Sequence, residues 1–474
     1  MTRRANALGH PGVGRDTARR WGRLAVATVV VVWTSGLFIG FERSLAILVA
    51  AAVAVTILGL ARPALGLIGL SALCTLEAVA ESLIFTGGLW RWNTVNYWLL
   101  FVTLLFAPFV LRLRDAQSLV LKAFVVLLSF ELLWTPDLGE GVQQVLDCTV
   151  LFGMIVYFAR ASDDRESWYW QGVISGTIGS LGGLIFYLQM DQLPFINANA
   201  WAYFPLTGVF ACSLAGRFAV DDWKRQSILS ALATVNAGWV LLSGSRGGIL
   251  TALCCLALFV ISFERFKQRV AFVCSVTILA AVIGTLFASR LETALGRVEE
   301  LLDSTASLQQ RTSGRSDVAA GAWQMFRANP FGIGTGGFAV TWATLHSVNG
   351  QRLFYRVGVT AAAHAGWMKT LAENGIIGFV VLAAYVSSFA VSGWRHRQEG
   401  LFVLGAVAAI TLAQGFTVNE LSRKGLWLFA SGVTVLLNRD RLAIPVLGRR
   451  RARAAGLRHA ASTFDPHDQW CHVR

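Results

Sequence analysis

The sequence predicts an all-α polytopic membrane protein with about 12–14 transmembrane helices and one large polar loop that itself contains a short helix. Three observations predict it. Of 474 residues, 55% are hydrophobic and only 14% charged, and the mean hydropathy is +0.56. A soluble globular chain carries roughly 25% charged residues. Apolar runs of about 17–24 residues recur along the chain, each long enough to cross a hydrocarbon core. Arg and Lys concentrate in alternate connections between those runs, the pattern that sets the orientation of membrane helices.

Candidate spans fall near 24–41, 44–61, 63–86, 95–111, 116–134, 142–159, 168–190, 201–216, 227–243, 248–263, 270–288, 366–393, 400–417 and 425–437. This divides the chain into a basic N-terminus (1–23), eleven spans (24–288), a polar loop (289–365), three spans (366–437) and a basic tail (438–474). The run Leu24–Gly40 lacks a small-x-small exit and is read as the first membrane helix, not a cleaved leader. Basic residues recur at Arg62, Arg112 and Arg114, Arg160 and Arg165, Arg217 to Arg225, Arg265 to Arg269, and Arg395 and Arg397. Both termini are therefore expected inside. The net charge of +14 serves topology, which excludes a nucleic-acid-binding reading. Six of the seven Cys lie in apolar runs and the seventh is Cys471, so no metal site or disulfide framework is expected.

Two outer segments break the pattern by carrying Arg. One is the tight turn with Arg246, and the other is the loop with Arg297, Arg311, Arg315, Arg327, Arg352 and Arg356. Charge that does not set topology points to an anionic ligand such as phosphate. Within the loop, Ser313 or Ser316 can cap a helix whose stripe is Val318, Ala322, Met325 and Phe326. Asn329-Pro330 stops that helix, and GIGTGGF then supplies a tight turn.

Arg246, Arg315 and His364 fall on one predicted face. Arg keeps its proton and presents a fork to phosphate oxygens, while His accepts a proton near neutral pH. The three suit binding a lipid diphosphate and deprotonating a hydroxyl. Ser245 and Gly314 beside the arginines, Gly334 in the turn, and Glu373 and Trp367 in the following span are candidate substrate-binding residues. So are Glu77 and Glu81, which share a helix face at i, i+4. Glu131 and Asp147 also interrupt apolar runs in the outer half, where acids face a cavity or pair between helices. Trp90, Trp92, Trp98, Trp342 and Trp367 read as an interfacial aromatic belt or as platforms for sugar rings.

The ordered series SRGG, GR, NPFGIGTGGF, AH and ENGIIG, over roughly residues 227–393, resembles the O-antigen ligase and polymerase superfamily of bacterial envelope enzymes. That resemblance implies a multi-span glycosyltransferase of the bacterial inner membrane with a periplasmic active site. It would move a glycan from undecaprenyl diphosphate to an acceptor hydroxyl on a lipid A core, a growing glycan or a protein. No nucleotide sugar, metal or other cofactor is implied. Arg246 and Arg315 would bind and neutralise the diphosphate, and His364 would be the general base or orient the acceptor. Where the family often has Asn after this His, the chain has Ala365, which leaves His346 as a rival base. A membrane transporter of an anionic or lipid-linked substrate is the alternative. It would place charges near the midplane in repeated halves, and no internal repeat is visible.

Overall fold

The computed structural model describes residues 62–83, 94–189, 198–218, 222–263, 266–288, 291–292, 296, 315–349, 365–418 and 424–442. The expected spans near 24–41 and 44–61 lie outside them. Among the described residues every regular element is a helix. The helices are α1 (Pro63–Leu83), α2 (Thr94–Leu105), α3 (Ala107–Arg112), α4 (Ala116–Glu131), α5 (Leu138–Arg160), α6 (Arg165–Gln189), α7 (Ala198–Phe218) and α8 (Trp223–Leu242). There follow α9 (Arg246–Ser262), α10 (Phe266–Leu286), α11 (Arg315–Ala328), α12 (Phe338–Asn349), α13 (Gly366–Arg395), α14 (Phe402–Val418), α15 (Lys424–Leu437) and α16 (Arg439–Leu442).

Four of these, α5, α6, α10 and α13, are long and apolar enough to span a membrane, and α1, α9, α14 and α15 contain shorter apolar helices. The chain is an all-α polytopic membrane protein. Its bundle surface is apolar, with Leu111, Phe266 and Leu286 among the most exposed side chains. Lipid tails satisfy such a surface as well as a protein interior does. The helices start where short polar side chains can accept from the first free amides. Asp115 accepts from Ser118 N at 2.9 Å, Asp137 from Glu140 N at 3.0 Å and Asp222 from Lys224 N at 3.0 Å.

Two elements differ from expectation. The span expected near 95–111 is two helices broken at Phe106, because Pro108 in the first turn of α3 brings no N–H. The loop holds a second helix, α12, beyond the expected one. The expected helix is α11, with Val318, Ala322 and Met325 buried against Phe338, Trp342 and Ala372. It stops at Asn329-Pro330 as the sequence predicts.

Contacts fix the relative direction of the helices that matter for the site. Gln117 Nε2 donates to Ser392 Oγ at 2.8 Å, and Asn374 Nδ2 donates to Glu131, so α4 and α13 are antiparallel. Trp367 Nε1 donates to Ala413 O at 2.9 Å while Gly393 packs on Gly405, so α13 and α14 are antiparallel too. Helices α5 and α13 are parallel, with Lys369 Nζ 3.5 Å from Glu140 and Gln144 beside Glu373. Helix α15 parallels α5, since Lys424 lies within electrostatic reach of Asp147 and Gly432 packs against Phe158. Tyr203 OH accepts from Gly425 N at 2.5 Å, which ties the start of α7 to the start of α15. Helix α9 parallels α7, with Gly248 on Ala202 and Phe259 on Gly216. The starts of α5, α7, α9, α13 and α15 therefore share one end of the bundle.

Candidate functional site

Arg246 is the first residue of α9 and is half-buried. The turn before it bends at Gly244, whose φ is 67°. Ser245 Oγ then accepts from Gly248 N at 3.2 Å, and Ser245 N donates to Ser243 Oγ at 3.1 Å. This double serine turn sets where α9 begins and hence where Arg246 leaves the backbone. Ser245→Ala removes the cap and is expected to cost about 1 kcal/mol. The thermal midpoint in detergent should fall while membrane insertion is unchanged.

At the same end of the bundle, α13 is broken. Gly375 has φ 60° and ψ −160°, a conformation that only glycine adopts readily. The break frees backbone groups on both sides, and the polar loop takes them up. Ile333 N donates to Ala372 O at 3.1 Å, Gly334 N to Glu373 O at 3.0 Å, and Ile376 N to Pro330 O at 3.1 Å. The segment 330–337 thus pairs with the broken helix through main-chain bonds. The fit is too close for side chains. A Cβ on Gly332 would collide with Glu373 O, one on Gly334 with Thr135, and one on Gly336 with Gly141. All three glycines also have φ between 85° and 97°.

Two buried carboxylates hold the joint from either side. Glu131, at the end of α4, accepts from Asn374 Nδ2 and from Thr335 Oγ1, the latter at 3.0 Å. Asn374 Nδ2 also donates to Thr335 Oγ1 at 2.9 Å, and Thr135 Oγ1 donates to Thr335 O at 2.6 Å. Glu373 is fully buried, and its Oε1 accepts from Phe338 N at 3.0 Å. Phe338 opens α12, so this carboxylate sits at the positive end of that helix dipole. Lys369, one turn earlier on α13, lies 4.0 Å from Glu373 and 3.5 Å from Glu140. A second buried cluster lies deeper along α5. Asp147 accepts from Gln143 Nε2 at 3.1 Å and from Asn96 Nδ2, with the buried Lys424 facing it.

The candidate residues distribute as follows. Arg246 and Ser245 lie at the start of α9 and Trp367 and Glu373 at the start of α13, on one end of the bundle. Gly334 lies in the docked loop. Arg315 opens α11, His346 lies in α12, and Glu77 and Glu81 lie in α1, but their side chains are outside the described residues. Gly314 and His364 are outside them altogether, and Ala365 next to His364 caps α13 with no side-chain bond. Trp367 is partly buried, stacks edge-on to Phe416 and donates to Ala413 O of α14, and Trp342 is buried under α11. Sequence reasoning missed Lys369, Thr335, Asn374 and Gln144 as parts of this joint. The i, i+4 spacing of Lys369 and Glu373 was the available signal. Among the described residues, no group of three His, Cys, Asp or Glu is placed to hold a metal ion.

Residues 230–383 match the sequence profile of the O-antigen ligase family. The match spans about a third of the chain and supports an O-antigen ligase superfamily assignment. The O-antigen ligase match contains Ser245, Arg246, Gly314, Arg315, Gly334, His364, Trp367 and Glu373. Glu77, Glu81 and Glu131 lie outside it. No curated protein matches the chain.

Proposed function

We propose that the protein transfers a glycan from undecaprenyl diphosphate to an acceptor hydroxyl on the periplasmic face, as an O-antigen ligase or as a surface polysaccharide polymerase. The observation that carries this reading is the O-antigen ligase match over 230–383, which contains both arginines and the histidine. In the proposed reaction the acceptor oxygen attacks the anomeric carbon. The bond from that carbon to the phosphate oxygen breaks, and the lipid diphosphate leaves with the electron pair. Arg246 and Arg315 neutralise the departing diphosphate, which is the main electrostatic contribution. His364 takes the acceptor proton. Both substrates reach the site along the membrane surface, so anchoring supplies much of the orientation. The starts of α9 and α13, which carry Arg246 and Ala365, lie at the same end of the bundle.

Arg246→Ala, Arg315→Ala and His364→Ala are each expected to reduce transfer by at least ~100-fold in reconstituted vesicles, with the protein still in the membrane. Wild-type rates for all three would sink the assignment. Deleting the chromosomal copy separates the acceptors. Polymer lost from lipid A with lipid-linked polymer accumulating marks a ligase, and single-repeat intermediates mark a polymerase.

The broken α13 is a feature shared with transporters, whose substrate sites are lined by discontinuous helices. Here Ala372 O, Glu373 O and Ile376 N at the break are engaged by the docked loop, which favours the transferase. Substrate uptake into liposomes that disappears in Arg315→Ala would favour the transporter.

A further inference from the structure

We propose that Glu131 is a positioning residue. With Asn374 and Thr335 it forms a staple that fixes the 315–349 segment, and hence Arg315, relative to α13. The inference rests on the glycan-transfer reading above for what is positioned, and on geometry for the staple itself.

The staple joins three parts of the chain that are far apart in sequence: the end of α4, the turn after Pro330 and the residue before the break in α13. Glu131 Oε2 is the shared acceptor for Thr335 Oγ1 and Asn374 Nδ2, and those two groups bond to each other. Glu131, Thr335 and Asn374 are each at most 1% exposed. A carboxylate so buried is costly unless its bonds are complete, and a complete buried network has a single geometry. Helix α11 ends at Ala328, two residues before the turn begins, and is about 20 Å long with Arg315 at its far end. A tilt at the staple therefore becomes a displacement of several ångströms at Arg315, on the order of what costs a hundredfold in a preorganised site. Glu131 lies outside the stretch that matches the family, so the device joins the helices before that stretch to the stretch itself.

The staple needs an acceptor at 131 and a donor at 374, not a charge in the reaction. This distinguishes it from a catalytic acid. Glu131→Gln keeps an acceptor oxygen, whereas Glu131→Ala does not. Asn374→Asp sets two carboxylates against each other. Glu131→Gln with Asn374→Asp restores one donor and one acceptor with the roles exchanged.

The experiment uses the full-length protein in vesicles with two readouts. One is glycan transfer with a lipid-linked donor, resolved into kcat and KM. The other is the rate of trypsin cleavage after the exposed Arg327, which reports opening of the segment independently of catalysis. Glu131→Ala and Asn374→Asp are expected to raise the donor KM and to speed cleavage about tenfold, the effect of leaving a buried hydrogen-bond partner unsatisfied. Glu131→Gln and the double variant should stay within about threefold of wild type in both readouts. Three results would each overturn the proposal: Glu131→Gln as inactive as Glu131→Ala with Arg327 still protected, Asn374→Asp equal to wild type in both readouts, or a double variant no better than Asn374→Asp. Absence of transfer by the wild type strikes the glycan-transfer reading alone, and the trypsin pattern still decides the staple.

Discussion

Gly375→Ala is expected to leave little folded protein. At φ 60° and ψ −160° an L residue is strained wherever it points, at about 1–3 kcal/mol for such a conformation. Space is also lacking. The new Cβ would collide with Pro330 O and with the main chain of Phe331 and Gly332. Neither neighbour is the far end of a flexible side chain, so relief requires the loop to withdraw. Withdrawal breaks the bonds from Ile333 N, Gly334 N and Ile376 N, each left in a place with little water. An unsatisfied buried group costs about 1–3 kcal/mol, so the sum is on the order of 5 kcal/mol or more. That is comparable to the whole stability of many domains. The control is Gly139→Ala in the first turn of α5, where the nearest atom to a new Cβ is Asp137 Oδ1 at 3.5 Å. It should fold as wild type. Detergent-extracted yield and thermal midpoint, compared between the two variants, check the prediction. A Gly375→Ala protein that melts with wild type would show that the break in α13 is not required.

The architecture was legible in the sequence because lipid imposes a simple rule. A backbone crossing hydrocarbon must satisfy its own hydrogen bonds, so apolar runs of helix length become helices. Helix α13 was expected at 366–393 and is found at Gly366–Arg395. The stripe Val318, Ala322 and Met325 gave α11 and its buried face. What the pattern could not show was the break. Gly375 follows Glu373 and Asn374 near the start of a long apolar helix, and a glycine in a membrane helix is ordinary. Only the loop, docked from about 40 residues earlier in the chain, makes its conformation necessary. The same holds for the acids. Glu131 and Glu373 were visible as costly residues in apolar surroundings, but cost alone does not name a partner. Their partners, Thr335, Asn374 and the amide of Phe338, come from segments that only the fold brings together. Phe106 is a smaller case. Pro108 was in plain sight, but an apolar run of full length hid the helix boundary just before it.

For Glu373 the decisive question is whether its charge or its acceptor matters, and the geometry favours the acceptor. Its distance to Lys369 Nζ is 4.0 Å, at the edge of an ion pair, and Lys369 is closer to Glu140, which is half-exposed. A partly solvated pair of that kind is worth about 0–1 kcal/mol. The bond from Phe338 N, by contrast, is 3.0 Å, fully buried and aligned with the start of α12. Glu373→Ala removes that acceptor and leaves a cavity, while Lys369 keeps Glu140 at 3.5 Å. The expected loss is about 3–5 kcal/mol, from an unsatisfied buried amide and the cavity together. Glu373→Gln keeps the carbonyl for Phe338 N and should cost about 1–2 kcal/mol. Lys369→Met, which retains the apolar stem, should cost about 1 kcal/mol or less. Combined, Glu373→Gln and Lys369→Met should then fall short of additive by less than about 1 kcal/mol, because little ion-pair energy is there to be lost twice. Thermal midpoints of the four proteins in one detergent give the cycle. If Glu373→Gln proves as damaging as Glu373→Ala, the charge holds α12 in place and the amide bond is incidental. If Lys369→Met alone matches Glu373→Ala, the ion pair carries the joint despite its length.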